Sequence, residues 1–117
     1  MNATGILIDP NTRTVTEVQV QGDFTKIQEL IDARCFTTSP MVNPEQTDYL
    51  ADTVFVDDEG LLFEGNAVWK ADFLLQPLCG KGLIMGTDTE GESITPAITV
   101  EEVRQQVQWT NMVTTGM

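Results

Sequence analysis

The segment Gly80-Lys81-Gly82 is the part of the sequence closest in composition to a phosphate-binding loop. A P-loop requires Gly-x-x-x-x-Gly-Lys followed by Ser or Thr, whose hydroxyl reaches magnesium. Here Lys81 follows a single glycine, and Gly82 occupies the position of the hydroxyl residue. The spacing of Gly80, Gly82 and Gly86 is also one residue too long for the dinucleotide-binding fingerprint. We therefore interpret this segment as a core strand bounded by glycines.

Two acidic turns, residues 57–60 and 88–91 (the latter followed by Glu92), carry carboxylates that could bind a hard cation or a basic surface. A calcium-binding EF-hand loop needs ligands at fixed positions around an invariant glycine. Aligning Gly91 with that glycine places Gly86 at the first ligand position, and the other turn fits no better. The sequence therefore predicts no metal site and no cofactor.

The absence of histidine excludes the usual Ser-His-Asp and Cys-His mechanisms. It also removes the commonest protein ligand for zinc, copper and iron. Cys35 and Cys79 form no Cys-x-x-Cys pair, and we expect two reduced thiols. Eighteen acidic residues neither support nor exclude a paired-carboxylate mechanism. We predict that the chain is not an enzyme, and a carboxylate-based enzyme is the least favoured alternative.

The charge balance narrows the classes of partner. Eighteen acidic and six basic residues give a formal net charge of −12. Binding to nucleic acid or to an anionic membrane requires clustered lysine and arginine, so neither partner is expected. Three interpretations of the acidity remain: solubility, recognition of a basic partner surface, and imitation of nucleic-acid charge. No apolar run is long enough for a membrane span or a signal peptide, so we expect a cytoplasmic protein.

The pattern of apolar residues predicts an α+β fold with a small, mostly antiparallel sheet. Ile6 to Ile8 and residues 14–20, separated by the Asp9-Pro10 turn, predict an N-terminal β-hairpin. One central helix is expected at about 24–34 and a C-terminal helix at about 99–109. A length of 117 residues fits one domain, which we place at residues 1–110, with a frayed tail at 111–117.

The two predicted helices rest on different signals. Phe24, Ile27, Leu30 and Ile31 form one apolar stripe at helical spacing. The second helix begins at a Thr99-x-x-Glu102 capping box, in which the two side chains satisfy free backbone amides reciprocally.

Three segments are less well defined by their sequence. Residues 61–63 continue the sheet or form a short connection, and residues 67–75 form a short helix or an irregular wrap over the core. Residues 43–50 are rich in turn formers and predict a flexible loop.

Trp109 lies about halfway around the predicted helix from Val100. If it is exposed, it forms an apolar patch with Met112 and Val113 that suits a partner or a homodimer. The equal alternative is that the tail folds back and covers it.

Taken in order, these segments resemble a family of small phage- and plasmid-encoded proteins classed as a domain of unknown function. The resemblance rests on the Ile-Leu-Ile-Asp-Pro opening at 6–10, the 24–34 helix and the Val-Asp-Asp-Glu-Gly-Leu segment at 56–61. It continues through Asn66, residues 80–86, the second acidic turn and the capped helix, while residues 43–51 and the region of Trp69 depart from it. It implies an accessory protein of a mobile element that acts on host machinery or on other mobile elements, and it assigns no residue roles.

These observations lead to two hypotheses. The first is a non-catalytic acidic interaction protein of a phage or plasmid that binds or inhibits a host protein with a basic surface. The alternative is an oligomeric protein that binds an anionic small molecule through Lys70, Lys81 and Arg104. The residues expected to contact a protein partner are Asp57, Asp58, Glu59, Asp88, Glu90, Glu92 and Trp109.

Overall fold

A computed structural model describes residues 2–45 and 49–116 of the chain. It confirms an α+β fold made mostly of antiparallel strands, with two helices in the described residues. The larger sheet has the order β2-β1-β7-β4-β3, with β8 pairing with part of β7. Its strands are β1 (Asn2–Asp9), β2 (Thr14–Gln21), β3 (Phe36–Val42), β4 (Tyr49–Asp57), β7 (Gly82–Thr87) and β8 (Ser93–Ile94).

The smaller sheet has the order β6-β5-β9 and is also antiparallel. Its strands are β5 (Glu64–Ala71), β6 (Leu78–Cys79) and β9 (Val107–Thr115). Residues 67–71, for which the sequence allowed a short helix, therefore belong to a strand. The pairing of β5 with β9 is interrupted by shifts in register between Ala67 and Trp69.

Two short helices connect the strands: α1 (Phe24–Leu30) and α2 (Val100–Gln106). Asp23 caps α1 by accepting a hydrogen bond from the Thr25 amide. The helix is shorter than the predicted 24–34 because the chain turns at Asp32, whose φ is 55°, in the left-handed region. The amide of Ala33 then bonds the Gln28 carbonyl instead of continuing the helix.

The capping box predicted at Thr99 and Glu102 is present at the start of α2. The predicted end at residue 109 is wrong, because Val107 already has extended backbone angles. Val107 and Trp109 pair with β5 at Ala71 and Trp69. β-branched and aromatic residues favour such a ladder over a further helical turn.

The frayed tail predicted at 111–117 is wrong as far as Thr115, because β9 continues to that residue and pairs there with Glu64. Thr114 is buried there, and its hydroxyl donates to the Phe63 carbonyl while accepting from the Asn66 amide. Met117, and residues 46–48 of the predicted 43–50 loop, lie outside the described residues.

The larger sheet forms a central layer with apolar side chains on both faces. One face packs on α1 through a cluster that includes Ile27, Phe55 and Leu83. The other face packs on the smaller sheet and α2 through a cluster that includes Trp69 and Val103. The alternation along β1 and β7 explains this division, since successive strand residues point to opposite faces.

Within the described residues, no helix has the length and apolar content that a bilayer crossing requires.

Candidate partner-binding surface

The first acidic turn links β4 to β5. The Asp57 carboxylate accepts a hydrogen bond from the Glu59 amide at 2.9 Å, so it shapes the turn. The half-buried Glu59 carboxylate is 3.6 Å from the exposed Arg34 guanidinium, and such a surface ion pair contributes little to stability. Asp58 is exposed, and no described residue donates to or pairs with its carboxylate. Asp58 is therefore the acid in this turn most available to a partner.

The second acidic turn is built in the same way around Asp88. Its carboxylate accepts hydrogen bonds from the amides of Glu90 and Glu92, both at 2.9 Å, while those two side chains are exposed. The main role of the Asp88 carboxylate is therefore to stabilise this turn.

The structure places the two acidic turns at opposite ends of the larger sheet. Gly82, at the start of β7, pairs with Val56 beside the first turn, and the second turn follows the end of the same strand. Six strand residues span about 20 Å. The six candidate carboxylates therefore do not form one continuous acidic face, and a small partner interface would include one turn or the other.

Three exposed apolar side chains follow the first acidic turn, and this group was not predicted from the sequence. We name it the apolar corner; its members are Leu61, Leu62 and Phe63. Each of these residues is between 48% and 64% exposed. A contiguous exposed apolar patch on a soluble protein typically marks an interaction surface. The sequence signal was the unbroken run at 61–63, which lacks the alternation of a half-buried strand.

Two parts of the chain meet at the apolar corner through backbone contacts. The Thr114 hydroxyl bonds the Phe63 carbonyl, and Gly116 lies beside the Leu62 carbonyl and the Glu64 amide. Residues 61–63 are thereby held against the end of β9, which carries Met112 and Val113. The corner thus rests on a paired strand and is directly continuous in sequence with the acidic turn.

A groove of about 290 Å³ borders the corner at Leu61. We name it the side groove. It lies where the end of the larger sheet meets β6, and its apolar walls come from both. The apolar residues that line it are Val56, Leu61, Val68, Pro77, Leu78 and Cys79. Asp57 and Asp58 belong to its polar lining.

The Cys79 thiol is half-buried in this region, whereas Cys35 is exposed. Burial, and secondly the nearby Asp57 carboxylate, raise the pKa of the Cys79 thiol. Since the thiolate is the nucleophilic form, this environment suppresses reactivity. Cys79 therefore lines the groove with a thiol of low reactivity.

The three cations considered for an anionic ligand lie in different settings. Arg104 donates to the Val15 carbonyl through Nε and Nη2 and pairs with Glu101 through Nη1. Lys81 Nζ donates a hydrogen bond to the Asp32 carboxylate and forms an ion pair with it. The hydrogen bond, and secondly the charge of Asp32, raise the pKa of the lysine. Lys70 is exposed on β5. Two of the three charges are therefore already engaged within the chain.

The Gly80–Gly82 segment has a structural role in the fold. The Gly80 carbonyl accepts a hydrogen bond from the indole Nε1 of Trp69 at 2.9 Å. The Gly80 amide donates to the Ala67 carbonyl. Gly80 has a φ of 77°, which a residue with a side chain rarely adopts. The predicted core strand corresponds to β7, which begins at Gly82.

Trp109 is half-buried rather than exposed. It pairs with Trp69 in the smaller sheet and packs against the core, and it also lines a shallow cavity with Arg13 and Arg104. Of the two alternatives for Trp109, the exposed apolar patch therefore does not form. Met112 and Val113 are exposed without it.

A larger cavity of about 480 Å³ is lined by Glu45, Asp52, Phe73, Glu102 and Gln106 among others. Its carboxylates are mostly committed within the chain. Asp52 is buried and accepts from the amides of residues 97 and 98, both at 2.9 Å. Glu102 Oε1 is occupied by the capping box. The described residues also contain no cluster of three or more His, Cys, Asp or Glu side chains arranged for a metal ion.

No protein-family model, no curated protein and no solved structure matches this chain. The resemblance to small phage- and plasmid-encoded proteins consequently stays a prediction, and the case for a function rests on the geometry of the surface described above.

Proposed function

We propose that this chain is a non-catalytic interaction protein that binds a partner protein through the apolar corner and the adjoining acidic turn. The observation that carries the proposal is the exposure of three consecutive large apolar side chains, at residues 61–63, whose backbone is held against the end of β9. Interfaces combine an apolar centre with a polar rim. Here the apolar corner supplies the centre, and the adjacent Asp58 supplies part of the rim. The net charge of −12 favours a partner with a basic surface.

The resemblance found in the sequence extends the proposal to biological context. In that context the chain is an accessory protein of a phage or plasmid, acts in the cytoplasm and binds or inhibits a host protein. The alternative, an oligomer that holds an anionic small molecule, is less well supported because Lys81 and Arg104 are engaged in internal contacts.

Native mass spectrometry of the tagged protein, purified gently from host lysate, tests the proposal. We expect a co-purifying protein at fixed stoichiometry. The double variant Leu62→Ser with Phe63→Ser should lose it, because both side chains belong to the apolar corner. The matched control is Phe24→Ser with Ile94→Ser, which removes one exposed aromatic and one exposed aliphatic residue elsewhere.

Retention of the partner by the Leu62/Phe63 variant would contradict the proposed surface. A discrete small added mass on an oligomer, without a protein partner, would favour the ligand-binding alternative instead.

A further inference from the structure

We propose that the side groove binds a short basic segment of the partner, inserting one large apolar side chain that is flanked by lysine or arginine. This inference rests on the proposed function and specifies the chemistry of the partner. It concerns the side groove beside Leu61, whereas the experiment on the proposed function changes Leu62 and Phe63 of the apolar corner.

The dimensions of the groove favour a single side chain over a small-molecule ligand. Its volume of about 290 Å³ lies at or below the lower limit of roughly 300 Å³ for typical small-molecule sites. Leu61 is 64% exposed at its edge, so an inserted side chain would cover apolar surface that water now contacts. Val56 and Leu78 are already buried and supply fixed walls.

The charge around the groove selects the flanking residues. Asp57 and Asp58 are part of its lining, and Glu59 lies in the same turn. The Asp58 carboxylate has no partner among the described residues, so a lysine or arginine would meet an unsatisfied charge. A second copy of the chain is a poorer occupant, because two molecules of charge −12 repel each other.

A fluorescein-labelled synthetic peptide tests the inference, with a Phe-Leu pair flanked on each side by two lysines. We expect its anisotropy to rise saturably with protein concentration. A peptide with Ser-Ser at the centre should bind at least about tenfold more weakly, since the inserted apolar area is lost. A peptide flanked by glutamates should not bind.

Matched variants locate the site. Leu61→Ser should weaken binding about tenfold, while Ile94→Ser, at an exposed aliphatic residue on β8, should leave it unchanged. Asp58→Lys should weaken it roughly fivefold at low salt and less at high salt. Glu90→Lys makes the same charge change in the other acidic turn and should have a much smaller effect.

Alkylation supplies a second readout that does not depend on variants. Cys79 lines the groove, so the bound peptide should slow the reaction of Cys79 with iodoacetamide, whereas the Ser-Ser peptide should not. Equal binding of the Ser-Ser peptide, or equal effects of Leu61→Ser and Ile94→Ser, would overturn the inference. So would a concentration-dependent dimer, abolished by Leu61→Ser, in sedimentation experiments.

The two proposals fail in different ways. If the peptide does not bind but a protein partner is still lost on changing Leu62 and Phe63, the groove chemistry is wrong and the proposed function stands. If no protein partner depends on the corner, the proposed function itself is wrong.

Discussion

The indole ring of Trp69 packs directly on the backbone of Gly82 across the interface between the two sheets. A Cβ added at Gly82 would lie 2.9 Å from Trp69 Cζ2 and 3.0 Å from Val54 Cγ1. Trp69 is fully buried, and its Nε1 bonds Gly80 two residues away from the contact. The glycine at 82 therefore sets how closely the smaller sheet approaches the larger one.

Gly82→Ala should lower the free energy of unfolding by about 1–3 kcal/mol, because the added methyl group overpacks a filled core. Urea denaturation monitored by tryptophan fluorescence measures the change. Trp69→Phe removes the ring atoms that clash, so in the double variant the alanine should cost less than it does alone. Strict additivity of the two substitutions would show that the contact does not govern the packing.

The general form of this fold could be predicted from the sequence, but this contact could not. Alternation and turn residues located most strands, and the capping box located the start of α2 to the residue. The contact between Trp69 on β5 and Gly82 on β7 joins residues 13 positions apart in the sequence. The periodicity of apolar residues predicts strands, but it does not predict which glycine packs against which aromatic ring. Trp69 itself lies in a segment whose uneven apolar spacing predicts a short helix or an irregular wrap over the core, and not the strand that forms.

Asp52→Ala should lower the free energy of unfolding by about 1–3 kcal/mol for each backbone amide left without a partner. The buried carboxylate accepts from the amides of Ala97 and Ile98, and so attaches the segment before α2 to β4. Chemical denaturation gives the magnitude, and hydrogen exchange should show faster loss of protection at these two amides. Asp72→Ala, at an exposed acid that bonds the Gln108 side chain, is the control and should cost far less. Equal costs for the two variants would contradict the role assigned to Asp52.

The two thiols should differ in reactivity. In single-cysteine variants made by Cys35→Ser or Cys79→Ser, iodoacetamide should modify Cys79 more slowly than Cys35, because burial raises the pKa of Cys79 and lowers its thiolate fraction. In the native protein the rate at Cys79 should keep rising to a higher pH than the rate at the same thiol in urea. The folded-state pKa lies above the unfolded one, so stability linked to this thiol is intact at neutral pH and falls as the pH rises through the folded value. In urea the two rates should converge; a fast reaction of Cys79 in the native protein would contradict its placement.

The candidate site was predictable in its charges but not in its apolar part. The acidic turn at 57–60 is evident from composition, and Asp58 is exposed as expected. The valine spacing from the capping box continues past Gln106 and predicts a helix through Trp109. Strand propensity and the pairing with Trp69 and Ala71 outweighed that spacing. The same pairing brings Thr114 to the Phe63 carbonyl, so the support of the apolar corner by β9 does not follow from a tail predicted to fray.

Thr114→Val should test the strand character of β9 and its link to the apolar corner together. The Thr114 hydroxyl donates to the Phe63 carbonyl and accepts from the Asn66 amide, and valine preserves its shape while leaving both groups unpaired. We expect a loss of about 1–3 kcal/mol in the free energy of unfolding. Thr115→Val, at the exposed neighbouring position, should change stability by less than about 0.5 kcal/mol. Because the lost bonds hold residues 61–63 against β9, Thr114→Val should also weaken partner binding in the native mass spectrometry experiment. If both threonines tolerate valine equally well, Thr114 does not anchor the corner, and the surface proposed for binding lacks its rigid support.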